Sequence, residues 1–116
     1  MKNYNLEERT FQFGKDCVLI VKSIPRNLIS IELGKQLVRA GCSVGANYIE
    51  ANEALGEKDF KMHIKICRKE AKESAYWLRM LKETELADNI GHINILIRES
   101  MELRNIFSSI LNRNEA

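Results

Sequence analysis

The stretch RAGCSVGANYIEANEAL, Arg39 to Leu55, decides the fold. Gly41 and Gly45 sit in it among apolar neighbours, where each glycine costs a helix about 1 kcal/mol against alanine. A helix accepts such residues where another backbone must come close. Leu37, Val44, Tyr48 and Ala51 add an apolar stripe at helical spacing. Asn47 and Glu50 lie three apart, neighbours on the surface of that helix. The segment reads as a helix packed into a tight junction, with a polar pair at its edge.

Three more helices flank it. Phe13, Cys17, Ile20 and Ile24 recur at steps of four, three and four, which predicts a first helix over Leu6–Ile24. Phe11 and Val18 form a second row on it. Pro25 stops it, because proline disfavours helical geometry in the residue before it. The central helix is expected over Ser30–Leu55, with Ser30 as N-cap and Gly56 as C-terminal cap. A third helix is expected over Glu57–Glu85, with the row Phe60, Ile64, Cys67, Ala71, Ser74, Leu78 and Leu81. Asp88 or Asn89 can cap a fourth, running to about Arg113, with Ile93, Leu96, Ile97, Ser100, Phe107 and Leu111 inward. Arg104 interrupts that row, at the edge of the core. The connections are short, so neighbours run antiparallel. The expected fold is all-α: one domain over residues 1–116, an antiparallel up-down-up-down four-helix bundle.

Two segments together carry a family resemblance: SVGANYIEA (43–51) and KICRKEAKESAYWLRMLKE (65–83). They resemble the small four-helix-bundle proteins encoded by intervening sequences in bacterial 23S rRNA genes. Accessory proteins of diversity-generating retroelements are relatives. The resemblance runs from about Phe11 to Phe107, and neither segment is a catalytic signature. It implies an up-down bundle, commonly a ring of five, and for some relatives nucleic-acid binding.

Composition sets the bounds. A chain of 116 residues that is 45% hydrophobic suits one globular domain. Eighteen basic and 16 acidic side chains leave a net charge of only +2, so any basic surface must come from segregation of charge. Cys17, Cys42 and Cys67 are an odd number without close spacing; they read as reduced core residues of a cytoplasmic protein. The N-terminal MKNYNLEERTF lacks the apolar core of a signal peptide, and no run approaches a membrane span.

The helices carry more apolar surface than one stripe each. Met62, Ile66, Trp77 and Met80 cluster away from the core row of the third helix. Ile95, Leu103, Ile106 and Ile110 do so on the fourth, and Ile31, Val38, Cys42 and Ile49 on the second. Either the core is wide, or these stripes bury against other subunits of a homo-oligomer. On the second account Met62, Ile66, Trp77, Met80, Ile95 and Ile106 lie at the subunit interface.

The third helix has one further face. Lys61, Lys65, Arg68, Lys72 and Arg79 fall within about 40° of one mean direction and make a ridge roughly 27 Å long. It is either a solvated, salt-bridged face or a track for the phosphates of RNA or DNA. Asn47 and Glu50 are expected to form a structural polar clasp at a helix or subunit junction, with Arg68 or Lys72 as partner of Glu50. Acid–base catalysis by that pair would need a second convergent group and a pocket. His63 and Cys67 are four apart, but no second ligand pair accompanies them, so no metal or cofactor is expected. No phosphate-binding glycine loop or nucleophile pattern is present. The expected function is a non-enzymatic oligomeric scaffold, binding RNA or DNA through the ridge. The alternative is a protein–protein interaction module without nucleic acid.

Overall fold

The computed structural model describes residues 5–84 and 86–115. Four helices follow in order: α1 (Leu6–Ser23), α2 (Leu28–Asn52), α3 (Glu57–Glu83) and α4 (Ile90–Glu115). No strand is present among the described residues. Each helix packs on the next, α1 on α2, α2 on α3 and α3 on α4, while α1 and α4 meet over a shorter stretch. The bundle measures 45 × 23 × 20 Å. It is the antiparallel four-helix bundle that the periodicity predicts.

The predicted core rows are buried. Phe13, Cys17, Leu37, Val44, Ile64, Cys67, Leu78, Ile93 and Phe107 are each at most 1% exposed. Leu103 and Ile110 join them, at 0% and 8%. This corrects their assignment to an outward stripe: α1 closes over that side of α4, so the inward arc of α4 is wider than one row. Leu55, the expected last residue of the central helix, is fully exposed because the helix has already ended.

The helix ends differ from expectation for a local reason. Asn27, not Ser30, caps α2. Its side-chain oxygen accepts from the Ser30 backbone N–H at 2.9 Å, and the Ser30 hydroxyl accepts from the Asn27 N–H at 2.9 Å. That reciprocal box starts α2 two residues early. At the other end α2 stops at Asn52, and Gly56 serves as the N-cap of α3 instead. The expected end of α3 at Glu85 lies outside the described residues. Asn89 caps α4, its side chain accepting from His92 N–H at 3.4 Å.

The junction between α1 and α2 is built on glycine. A Cβ on Gly14 would meet the Gly41 carbonyl oxygen at 3.2 Å and the Cys42 Cα at 3.3 Å. On Gly41 it would meet Cys17 Sγ at 2.8 Å, and on Gly45 it would meet Thr10 Oγ1 at 3.2 Å. Thr10 can be buried there because its hydroxyl donates back to the Leu6 carbonyl at 2.8 Å. Backbone thus meets backbone at Gly14, and only the small side chains of Cys17 and Thr10 lie over Gly41 and Gly45.

These contacts separate two alanine substitutions that helix propensity treats alike. Gly14→Ala should lower stability by ~1–3 kcal/mol, because only backbone atoms can yield. Gly91→Ala, where an added Cβ meets nothing within 4 Å, should raise it by ~0.4–1 kcal/mol. Urea unfolding of the two variants beside wild type checks both signs.

Candidate nucleic-acid interface

The formal charge of this protein resides in one helix. Within α3 eight basic side chains face five acidic ones, a surplus of three; α1, α2 and α4 each balance to zero. Three of the acids of α3 are engaged away from its basic face. Glu73 accepts from Arg39 of α2 at 2.9 Å, and Glu70 lies 3.9 Å from the same guanidinium. Asp59 lies 3.4 Å from His63 Nε2, and Nδ1 of that ring meets Asn47 Oδ1 of α2 at 3.3 Å. One edge of α3 is therefore spent on α2.

The ridge lies on the far side. Lys65, Lys72 and Arg79 are exposed, and Arg68 is half-buried. None of these four makes an ion pair among the described residues. Lys61 is half-buried and lies 3.6 Å from Glu57 in the first turn. The five predicted cations thus share a face, four of them unneutralised. Tyr76 is exposed one step round from it and packs edge-on against Trp77, with ring centroids 4.9 Å apart.

The polar clasp is split. Asn47 is held: its Nδ2 donates to the Ser43 carbonyl and hydroxyl at 3.0 and 2.9 Å, and its Oδ1 faces His63 across the α2–α3 seam. Glu50 is exposed and pairs with neither Arg68 nor Lys72. The reason is rotational. Asn47 points into the seam, and Glu50, three residues on, has turned past its rim, while Arg68 and Lys72 leave α3 on the other side.

The apolar positions singled out as an interface sort by depth. Met62 is 49% and Ile95 53% exposed, Ile66 and Met80 are half-buried, and Trp77 and Ile106 pack against the core. A further apolar surface lies along α1 and α2. Phe11, Val18, Cys42, Ala46 and Ile49 line an open groove of about 460 Å³ over the glycine junction.

The cysteines divide as well. Cys17 and Cys67 are buried, but Cys42 is exposed in that groove and is not a core residue. Burial drives the Cys17 thiol far up and pushes Cys67 up to about 12; partial desolvation lifts Cys42 too. All three thiols stay protonated near neutrality, which makes them poor nucleophiles. Cys67 donates to the Val44 carbonyl of α2 at 3.4 Å. No helix among the described residues is long and apolar enough to cross a membrane.

The family described as 23S rRNA-intervening sequence protein matches residues 2–109. The chain belongs to that family. A solved structure from the S23 ribosomal protein family, a protein of unknown function from Bacteroides thetaiotaomicron, is similar to it. The two share 29% identity with a TM-score of 0.78, over 90% of this chain and 96% of the other. No curated protein matches.

Within this family member two ion-pair clusters escaped sequence reasoning. Arg9 of α1 makes a bidentate bond to Glu99 of α4, at 2.7 and 2.8 Å, and a further one to Glu102 at 2.6 Å. The hydrogen bond to Glu99, then that to Glu102, outweigh desolvation and hold the guanidinium above its ordinary range. Arg39 with Glu70 and Glu73 is the second cluster. Glu70 is 95% buried, being 5% exposed, and its Oε1 accepts no hydrogen bond. The one sequence signal was an acid beside the core row of α3; the partner, 31 residues earlier, gave none.

Arg39→Met should therefore leave the Glu70 carboxylate only Lys69, 4.0 Å away, as a partner and lower stability by ~1–3 kcal/mol. Adding Glu70→Met should recover most of that loss, because no buried carboxylate is then left short of a partner. A double-mutant cycle in urea reads the coupling, and additive losses would refute it.

Proposed function

We propose that this protein is a non-enzymatic helical scaffold that binds nucleic acid through the phosphate backbone, along the exposed face of α3. The observation that carries the reading is the group Lys65, Arg68, Lys72 and Arg79. All four stand without an acidic partner among the described residues, on the helix that holds the chain's charge surplus. A rod of cations at helical spacing can follow a polyanion without reading bases, because phosphate contacts carry no sequence information. The family's description, with its reference to 23S rRNA genes, is consistent with an RNA-related role but names no ligand. Structured RNA should bind with affinity that falls steeply between ~50 and ~200 mM salt. Lys65→Glu with Lys72→Glu should abolish binding while the helical circular dichroism stays unchanged. Absence of binding by wild type at ~50 mM salt would sink the reading.

A second reading rests on a different observation, the apolar groove between α1 and α2. Phe11 is 63% and Ile49 50% exposed there, more than a monomeric bundle needs to show water. It favours a surface that covers another protein, including further copies of this chain in a homo-oligomer, a pentamer being what the family resemblance implies. Ile49→Glu with Phe11→Glu should then reduce the sedimenting mass. A 13.4 kDa species for wild type at micromolar concentration counts against self-association.

A further inference from the structure

The basic face does not end at the edge of α3. Glu70, Glu73 and His63 mark the edge of α3 that meets α2. Arg68 follows the fully buried Cys67 and lies about 100° round from it, away from that edge and toward α4. On α4, Glu99 and Glu102 mark the edge that meets α1. Arg104 follows the fully buried Leu103 and lies about 100° round from it, on the opposite edge, toward α3.

The two arginines also stand at one height. Arg68 is 15 residues before the end of α3 at Glu83, and Arg104 is 14 residues after the start of α4 at Ile90. At ~1.5 Å per residue both lie roughly 21–22 Å from the shared end of the two helices. They therefore flank one seam at one level.

Arg104 is under-used where it stands. Its Nε is out of water and donates to nothing, and its Nη2 donates only to the neighbouring Asn105 Oδ1 at 3.2 Å. Neither Arg68 nor Arg104 makes an ion pair among the described residues. On these edges the acids are confined to the ends: Glu57 in the first turn of α3, beside Lys61, and Glu83 in its last. A guanidinium carries five donors in a planar fork that suits phosphate oxygens.

We propose that the α3–α4 seam is a phosphodiester site centred on Arg68 and Arg104, from which the ridge Lys65 and Lys72 continues. The proposal rests on the nucleic-acid reading for its ligand and on the seam for its place. A phosphate at the mouth of the seam can accept from the Arg104 Nη groups, of which the bundle engages only Nη2, with Asn105. Arg104 is then the α4 contribution to a surface otherwise built by α3, and the backbone crosses from one helix to the other there.

Fluorescence anisotropy with a labelled RNA hairpin, at several salt concentrations, tests this on the full chain, with inorganic pyrophosphate as a second probe. Arg104→Gln and Arg68→Gln should each weaken RNA binding several-fold and each reduce the slope of log K against log salt by about one. Arg104→Lys should keep the slope and recover only part of the affinity, since it keeps charge and loses the fork. Thermal melts of all three variants confirm folding. Suppose RNA binds, Lys65→Glu with Lys72→Glu abolishes it, and Arg104→Gln and Arg68→Gln change neither affinity nor slope. The seam is then overturned and the ridge stands. If RNA does not bind but pyrophosphate does, in a manner lost with Arg104→Gln, the seam stands and the nucleic-acid reading falls. Binding of neither probe overturns both.

Discussion

Everything in this bundle hangs from the place where α1 and α2 touch backbone to backbone. Gly14 meets the Gly41 carbonyl, and Thr10 fits against Gly45 with its hydroxyl turned back on its own helix. Only small side chains, Cys17 and Thr10, stand between the two axes, so the pair packs closely and shares a continuous inner face. Phe13, Cys17, Leu37 and Val44 converge there at under 2% exposure. The remaining two helices have little freedom. α3 must lie on the open edge of α2, and α4 must fill the space left beside α3. The same closeness merges the outer faces of α1 and α2, which is why Phe11 and Ile49 end up lining a single groove.

The junction was legible because glycine inside an apolar helix has few other uses. The core rows were legible because a period near 3.6 survives wherever one face is buried. Leu103 was harder: it falls off the main row of α4, and only the cover provided by α1 makes its arc interior. The start of α2 was misread because Ser30 and Asn27 are both good caps, and the choice depends on a reciprocal pair of hydrogen bonds rather than on either residue. Glu50 looked like a partner for Arg68 because both sit near a seam. They sit at different seams, Glu50 at the rim of the α2–α3 seam and Arg68 turned toward α4, a matter of rotation that spacing alone does not convey.

The ion pairs were the least legible part. Arg9 and Glu99 are 90 residues apart, and Arg39 and Glu73 are 34 apart. Nothing in either local sequence selects the other; the topology does. Their effect on the surface is nonetheless large. Arg9 ties α1 to α4, where helix contact is slight, and Arg39 engages the acids of α3. Cations of α3 are left facing water in part because Glu70 and Glu73 are drawn to Arg39 of the neighbouring α2. A count along the chain treats those carboxylates as neutralising, whereas the folded molecule removes them from the exposed face.

That separation changes what the overall charge of +2 means. The bundle is about 20 Å through its thin direction, whereas in 0.1 M salt a charge is felt for only ~10 Å. A polyanion approaching this molecule is screened from its far side before contact. It meets α3 as a surface of locally high potential, or it meets the balanced helices as a nearly neutral body. Encounter is then a question of which side arrives first, and isoelectric point is a poor guide to it. Salt shortens that reach further, so ionic strength controls orientation before it controls adhesion.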